Sequence, residues 1–399
     1  MVEALLLLGA DVNKPAVGVG YSAIHKMASC GRLGMFKLVQ RICGDEADFE
    51  EHRYTLAAGF GRVDVVRFLL GVLGPAVGIN VETRFNDTPL TLTSKSGHRD
   101  VVRLLVSKDP TIDYQTGESG STALLWAAEH GQFDVVQYLC KNGADVLWRR
   151  YDDMSALDIA ACIGSADVVE YLAEVSSADL NAPTLDVTAL NKAVIHRRTD
   201  VVHVLLAHNA NTSGGSEQQS TLLCQAIVHD RADIARLLVR QHSVDVNSIC
   251  RLAVNDVLLE VTPLIAAVAC GNLEMVKFLC TSGADVEGTS NENETALFFA
   301  VAFDKSDIAQ YLVTEQNANI QSTSSYNISL VDVSVLGHHC DVFEYLMSHG
   351  ALYCTRDFMS QRGHKYRTGC SKYSLANFRG DDAANAEYWD RRAALHRFV

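Results

Sequence analysis

The chain has 399 residues, enough for two or three ordinary domains, with 48% hydrophobic and 21% charged residues. That balance supports a sizeable core and excludes a disordered chain. No apolar run approaches the roughly 18 residues a membrane span needs, and a net charge of −14 excludes a dedicated nucleic-acid binder, which would carry a basic face.

In chain order, Met1 to Asn13 reads as the second helix and exit loop of a two-helix unit whose first helix is missing. We therefore expect the chain to be a fragment of a longer protein or the product of a mis-started gene model. A self-similar segment then recurs. Its starts are Ser22, His52, Thr88, Thr122, Ser155, Thr188, Thr221, Thr262 and Thr295, spaced 30, 36, 34, 33, 33, 33, 41 and 33 residues apart. A tenth copy begins at Ile328 or Ser329. A fixed period of this length means one supersecondary unit repeated along a stack.

Each copy predicts two short helices. The opening Thr or Ser is a side-chain cap for the first helix, and Pro is tolerated in that first turn. A small residue follows five positions later in Ala57, Ala127, Ala160, Ala193, Ala226, Ala267 and Ala300, where it allows close helix approach. Gly31, Gly61, Gly97, Gly131, Gly164 and Gly271 end the first helix with a left-handed turn residue. Arg197, Asp230 and Asp304 replace that glycine in other copies and predict turn strain. An acid such as Asp134 or Asp167 opens the second helix, where the macrodipole favours negative charge.

Two steps depart from the period. The longest places an insertion over 241–261, where Val244-Asp-Val-Asn and Asp256-Val-Leu-Leu-Glu-Val predict a longer hairpin or an extra strand pair. The other, after His52, contains the turn-rich Gly71-Val-Leu-Gly-Pro-Ala-Val-Gly. From Leu352 the pattern stops. The tail over 352–399 is basic, with nine Lys/Arg against five Asp/Glu, and predicts one short helix between Ala383 and His396.

These residues resemble the ankyrin repeat. Thr262-Pro-Leu, Gly271, the ending Leu279-Cys-Thr-Ser-Gly-Ala-Asp-Val286 and the 33-residue step carry the resemblance over residues 1–351. It implies an all-α solenoid of about ten helix–turn–helix units with projecting β-hairpin fingers. The residues agree on their own terms, since one two-helix unit cannot bury its apolar face and must stack.

The chain contains no phosphate-binding glycine loop, zincin motif or nucleophile elbow. His98-Arg99-Asp100 copies a kinase tripeptide, but the asparagine and glycine loop that should accompany it are missing. The residues around His338, His339, Cys340, His349, Cys354, His364 and Cys370 match no zinc spacing. We therefore expect neither catalysis nor a metal or cofactor. Eleven cysteines without a C-x-x-C pair fit a reducing compartment, so the cytoplasm is expected, with the nucleus as the second choice.

In the repeats these resemble, partner contacts come from finger tips and from the exposed end of the first helix. Here the finger before Ser155 reads Leu147-Trp-Arg-Arg-Tyr-Asp-Asp-Met154, and Trp, Arg and Tyr are the types that most often carry binding energy. The candidate partner-binding residues are Arg84, Phe85, Glu129, His130, Trp148, Arg149, Tyr151, Met154 and His196. Trp126, set between Leu125 and Ala127, is expected in the core. The function expected is a non-catalytic scaffold or adaptor that binds other proteins, with no nucleic acid, membrane or small-molecule substrate. The alternative is a substrate receptor of a ubiquitin ligase, or the targeting part of a larger enzyme.

Overall fold

A computed structural model describes residues 7, 10–14, 22–43, 51–73, 79–83, 86–108, 111–175, 180–181, 187–212, 221–254, 257–325 and 328–352. The short helix expected over 383–396 lies outside them. Twenty helices are found among the described residues, arranged as ten consecutive pairs. The chain divides into two compact units, Met1–Ala210 and Asn211–Val399.

The first unit holds α1 (Ala23–Cys30), α2 (Leu33–Cys43), α3 (Glu51–Gly59), α4 (Val63–Leu73), α5 (Pro89–Ser96), α6 (Arg99–Val106), α7 (Ala123–Glu129), α8 (Phe133–Lys141), α9 (Ala156–Ile163), α10 (Ala166–Val175), α11 (Ala189–Ile195) and α12 (Thr199–Ala207). The odd-numbered helices form one packed layer and the even-numbered helices a second. The core lies between the layers. In the pair α7 and α8 it consists of Leu124, Leu125, Ala127 and Ala128 against Val135, Val136 and Leu139.

The second unit holds α13 (Leu222–Val228), α14 (Ala232–Gln241), β1 (Cys250–Val254), β2 (Val257–Val261), α15 (Pro263–Ala269), α16 (Leu273–Thr281), α17 (Ala296–Ala302), α18 (Ser306–Thr314), α19 (Leu330–Leu336) and α20 (Cys340–Ser348). Helices α13, α15, α17 and α19 stack in one layer. Phe298 and Phe299 are fully buried there.

The capping chemistry follows the sequence closely. The side chains of Thr88, Thr122, Ser155, Thr188, Thr262, Thr295 and Ser329 each accept a hydrogen bond from the backbone N–H of the third helical residue. Ser329 thereby sets the register of the last pair. Left-handed backbone ends the first helix even where glycine is absent. Arg197, Asp230, Asp304 and His338 have φ of 63°, 53°, 53° and 60°.

The same turn is where adjacent units interlock. The residue after it reaches back to a carbonyl of the preceding unit: Arg62 Nε donates to Ser29 O at 2.8 Å, Gln132 Nε2 to Lys95 O at 3.3 Å and Arg198 Nε to Cys162 O at 2.9 Å. At Gly97, with φ of 73°, a methyl would collide with the Gln132 side-chain amide. Glycine is needed there for backbone freedom, and a Cβ would also displace the Gln132 amide from its bond to Lys95 O.

The fingers are slighter than expected. Those before α7, α17 and α19 are turns closed by single bridges, Thr116 to Ser121, Thr289 to Thr295 and Thr323 to Ser329. Among the described residues, regular strands form only in the insertion, where Cys250 pairs with Val261 and Val254 with Val257 in antiparallel register. The second strand falls where the sequence placed it. The stretch from Val244 to Asn247 is instead a loop, and its Asn247 Oδ1 accepts from Asp285 N at 2.8 Å.

One pairing departs from the expectation of unlinked cysteines. Cys224 and Cys250 are joined by a disulfide, with Cα atoms 5.8 Å apart. Seven other described cysteines are free. Spacing alone does not reveal a pair that only the return of the chain from α14 brings together.

Candidate functional site

The finger between α8 and α9 is held by backbone bonds that its own sequence dictates. Asp145 Oδ1 accepts from Leu147 N at 2.9 Å, and Asp153 adopts the left-handed region that Asp tolerates, with φ of 62°. Arg150 N donates to Met154 O at 3.1 Å, and Asp153 N to Arg150 O at 2.8 Å. The Arg149 guanidinium spans the turn, donating to Asp153 O at 2.7 Å. This turn is fastened to the finger before it, because Tyr151 N donates to Ser119 O at 3.0 Å and the Tyr151 ring lies against Gly120.

The result is a rigid tip with bare apolar groups. Leu147 is 64% exposed and Tyr151 75% exposed. Trp148 is half-buried, and its indole Nε1 is buried without a hydrogen-bond partner. Met154 is half-buried at the base of the finger.

Beneath the finger a band of paired charges runs along the ends of the odd-numbered helices. Lys95 Nζ bonds Asp87 Oδ1 at 2.6 Å and lies 3.6 Å from the centre of the Trp126 ring. Trp126 Nε1 donates to Thr116 Oγ1 at 3.1 Å, and His130 Nδ1 sits 3.0 Å from Trp126 O. Arg150 joins Asp152 at 2.6 Å and Glu129 at 3.7 Å. Burial pushes the Asp152 carboxyl up, but the hydrogen bond and charge of Arg150, together with backbone hydrogen bonds including that from Met154 N, hold the group below its ordinary value.

The next step along the band is a buried ion pair between units. Lys192 Nζ lies 2.7 Å from Asp158 Oδ1, with side chains 11% and 3% exposed. Asp158 Oδ2 also accepts from the Ser155 hydroxyl at 2.7 Å and from Ser155 N at 3.0 Å, and Arg149 approaches it to 3.8 Å. Burial again raises the carboxyl, and the Lys192 hydrogen bond and charge together with the Ser155 hydrogen bonds more than reverse that, leaving it below the ordinary carboxylate value.

Of the residues expected at a binding surface, Trp148, Arg149, Tyr151 and Met154 share this finger, and Glu129 reaches it through Arg150. His130 is exposed at the end of α7, and His196 is exposed two odd-numbered helices further on, at the end of α11. Arg84 and Phe85 lie outside the described residues. Trp126 corrects one expectation. It is half-buried under Lys95 on the finger side, because Leu125 and Ala127, its neighbours in sequence, take the places facing the core. The contacts of Lys95 with Trp126 and of Arg150 with Glu129 escaped the sequence reading, since each joins two different units.

Of the free thiols, Cys30 is exposed and the other six described are half-buried. Burial pushes Cys140 and Cys270 up to about 11. The His and Cys residues ahead of the tail are spent locally: His339 Nε2 sits 3.2 Å from Ala302 O, Cys340 donates to His338 O at 3.7 Å, and His349 Nδ1 lies 2.8 Å from Tyr345 O. Cys354, His364 and Cys370 lie outside the described residues. Elsewhere Glu170 and Glu174 of α10 and His208 after α12 bring ligand atoms within 4.8 Å of one another, as two exposed carboxylates and a half-buried imidazole. No described helix is long and apolar enough to cross a membrane.

Comparison with known proteins adds the family. Residues 54–150, 118–184, 157–250 and 248–324 match the family described as ankyrin repeats (3 copies). The Mus musculus protein "Ankyrin repeat and SAM domain-containing protein 6" is 38% identical over 81 residues, 20% of this chain and 9% of that protein. The Caenorhabditis elegans "Ankyrin repeat and KH domain-containing protein mask-1" is 26% identical over 182 residues, 39% of this chain and 7% of that protein. The chain therefore spans less than a tenth of the length of these curated relatives. The solved human ASB11 ankyrin repeat domain aligns with a TM-score of 0.49 at 24% identity, covering 57% of this chain and 97% of that domain.

Proposed function

Because the chain belongs to the ankyrin-repeat family, we propose that it is a non-catalytic scaffold or adaptor that binds a partner protein through the fingers and helix ends of α5 to α9. The observation that carries this reading is the Leu147–Tyr151 tip, where two large apolar side chains stand bare on a backbone fastened to the neighbouring finger. A rigid aromatic anchor loses little conformational freedom on binding, so its contact area is retained as affinity. The paired charges around it, Glu129 with Arg150 and Asp87 with Lys95, form the polar rim that orients a partner. A net charge of −14 supports a protein partner over nucleic acid.

Affinity capture with the wild-type chain and a Trp148→Ala, Tyr151→Ala double variant tests the assignment, with thermal unfolding as the folding control. Loss of a dominant captured protein from a folded variant supports it. An unchanged captured set overturns it.

A second reading, the targeting part of a larger enzyme, rests on how little of its relatives' length the chain spans. One relative, "Palmitoyltransferase AKR1" of Lachancea kluyveri, is 49% identical over 45 residues, 11% of this chain and 6% of that protein. A ubiquitin-ligase scaffold among the captured proteins would move the assignment to a ligase receptor. Seven free cysteines support a reducing cytoplasm or nucleus, and the linked pair stands apart from them.

A further inference from the structure

Seven of the Thr and Ser residues that open the units cap their first helix, and the rest of the second unit explains why Thr221 does not. Thr221 precedes α13 in the expected place, yet its side chain makes no cap bond to the third helical residue. That residue is Cys224. Thr221 Oγ1 instead lies 3.5 Å from Ser248 Oγ and 4.0 Å from Cys250 Sγ, both just ahead of or at the start of β1. A covalent tie to the insertion hairpin therefore stands at the position where those seven units use a hydrogen bond.

The tie is well placed to govern the hairpin. Cys250 opposes Val261, the last paired residue before Thr262 caps α15. Fastening Cys250 to α13 thus anchors the open end of the hairpin, where both strands return to the repeat body. Across the hairpin, Arg251 pairs with Glu260 at 2.9 Å, and Glu260 O accepts from Asn291 N of the next finger at 3.1 Å. The position of the hairpin is consequently linked to the finger row of the units that follow. Both sulfur-bearing residues are fully buried.

We propose that the Cys224–Cys250 bond is a redox-governed clamp on the insertion hairpin, shielded from reductant while the hairpin is seated. Opening it takes two exchanges with a dithiol reductant. A reductant thiolate attacks one sulfur, forming a mixed disulfide and releasing the other protein sulfur as a thiolate, which takes up a proton. The reductant's second thiol then displaces the remaining protein sulfur, leaving two protein thiols and an oxidised dithiol. Two electrons pass from the dithiol to the protein. Closure is the reverse, with glutathione disulfide or an oxidised dithiol as acceptor. A crosslink over a separation of 26 residues disfavours unfolding of this segment by up to roughly 300-fold through loop entropy.

The test uses the full chain equilibrated with glutathione disulfide or with dithiothreitol. Thiols are counted in denaturant, linked peptides are mapped, and amide exchange is followed over Cys250–Val261 and α13. Of the 11 cysteines, the oxidised protein should titrate nine thiols (11 − 2) and yield a Cys224–Cys250 peptide. Its hairpin amides should exchange at least tenfold more slowly than in the reduced protein, while α7 and α9 stay unchanged. The reduction rate should reach a plateau as dithiothreitol rises, set by lifting of the hairpin base. A Cys224→Ala, Cys250→Ala variant should match the reduced protein and ignore the reductant. Eleven thiols after oxidation, a different linked pair, equal hairpin exchange in both states or a rate linear in dithiothreitol would each overturn the clamp. The wild-type comparison stands even if the variant fails to fold.

Discussion

Replacing Lys192 with Met would expose how much the inter-unit ion pair contributes. The change keeps most of the aliphatic stem and removes the cation 2.7 Å from Asp158, whose side chain is only 3% exposed. Leaving a buried carboxylate without its main partner costs about 3–5 kcal/mol. Ser155 still donates two hydrogen bonds and Arg149 stands 3.8 Å away, so the lower end, about 3 kcal/mol, is expected here. A Lys192→Met, Asp158→Asn double variant should recover more than half of the loss, because a neutral amide keeps the Ser155 cap without a buried charge. Urea unfolding followed by tryptophan fluorescence is suited to this, since Trp126 and Trp148 both lie shortly ahead of Asp158 in the sequence.

The pH dependence has a definite sign. The folded-state Asp158 carboxyl titrates below its ordinary value of 3.8, so its contribution is fully present above that pH. It is lost as pH falls through the lower folded-state value. The penalty of Lys192→Met should therefore be largest near neutrality and shrink in acid. A loss below about 1 kcal/mol at neutral pH, the ordinary range of a surface pair, or an equal loss at neutral and strongly acid pH, would refute this account of the pair.

Four further outcomes are expected. Arg197→Gly should raise the melting temperature by relieving the left-handed backbone at φ 63°, a gain of about 1 kcal/mol. Gly97→Ala should lose at least that much, from both strain and collision with Gln132; calorimetry on the two variants checks the opposite signs. Alkylation at pH 8 read by mass spectrometry should label exposed Cys30 well before Cys140 and Cys270, which titrate at about 11. For those two, each further pH unit below 11 should raise the rate about tenfold, as the thiolate fraction does. Thr295→Ala removes the oxygen that accepts from Phe298 N at 3.3 Å and should cost about 1 kcal/mol, measurable by urea unfolding.

The fold was legible because each unit's chemistry is local. Caps at Thr122 and Thr295, left-handed residues at Gly97 and Asp304 and helix-opening acids such as Asp134 act over a few residues, and their spacing repeats. The finger at Leu147–Met154 was legible for the same reason, as an unusual composition at a repeating position. What the sequence could not show is which side chains meet across units. Lys95 with Trp126, Arg150 with Glu129, Lys192 with Asp158 and Cys224 with Cys250 are 31, 21, 34 and 26 positions apart. Within each compact unit, stacking brings one repeat's residues close to those of the next, so proximity alone selects no partner. Choosing among them depends on side-chain direction and on which neighbours fill the core, as Leu125 and Ala127 did in leaving Trp126 to the finger side. Those are properties of the packed layers, settled only when both helices of a pair are seated against their neighbours.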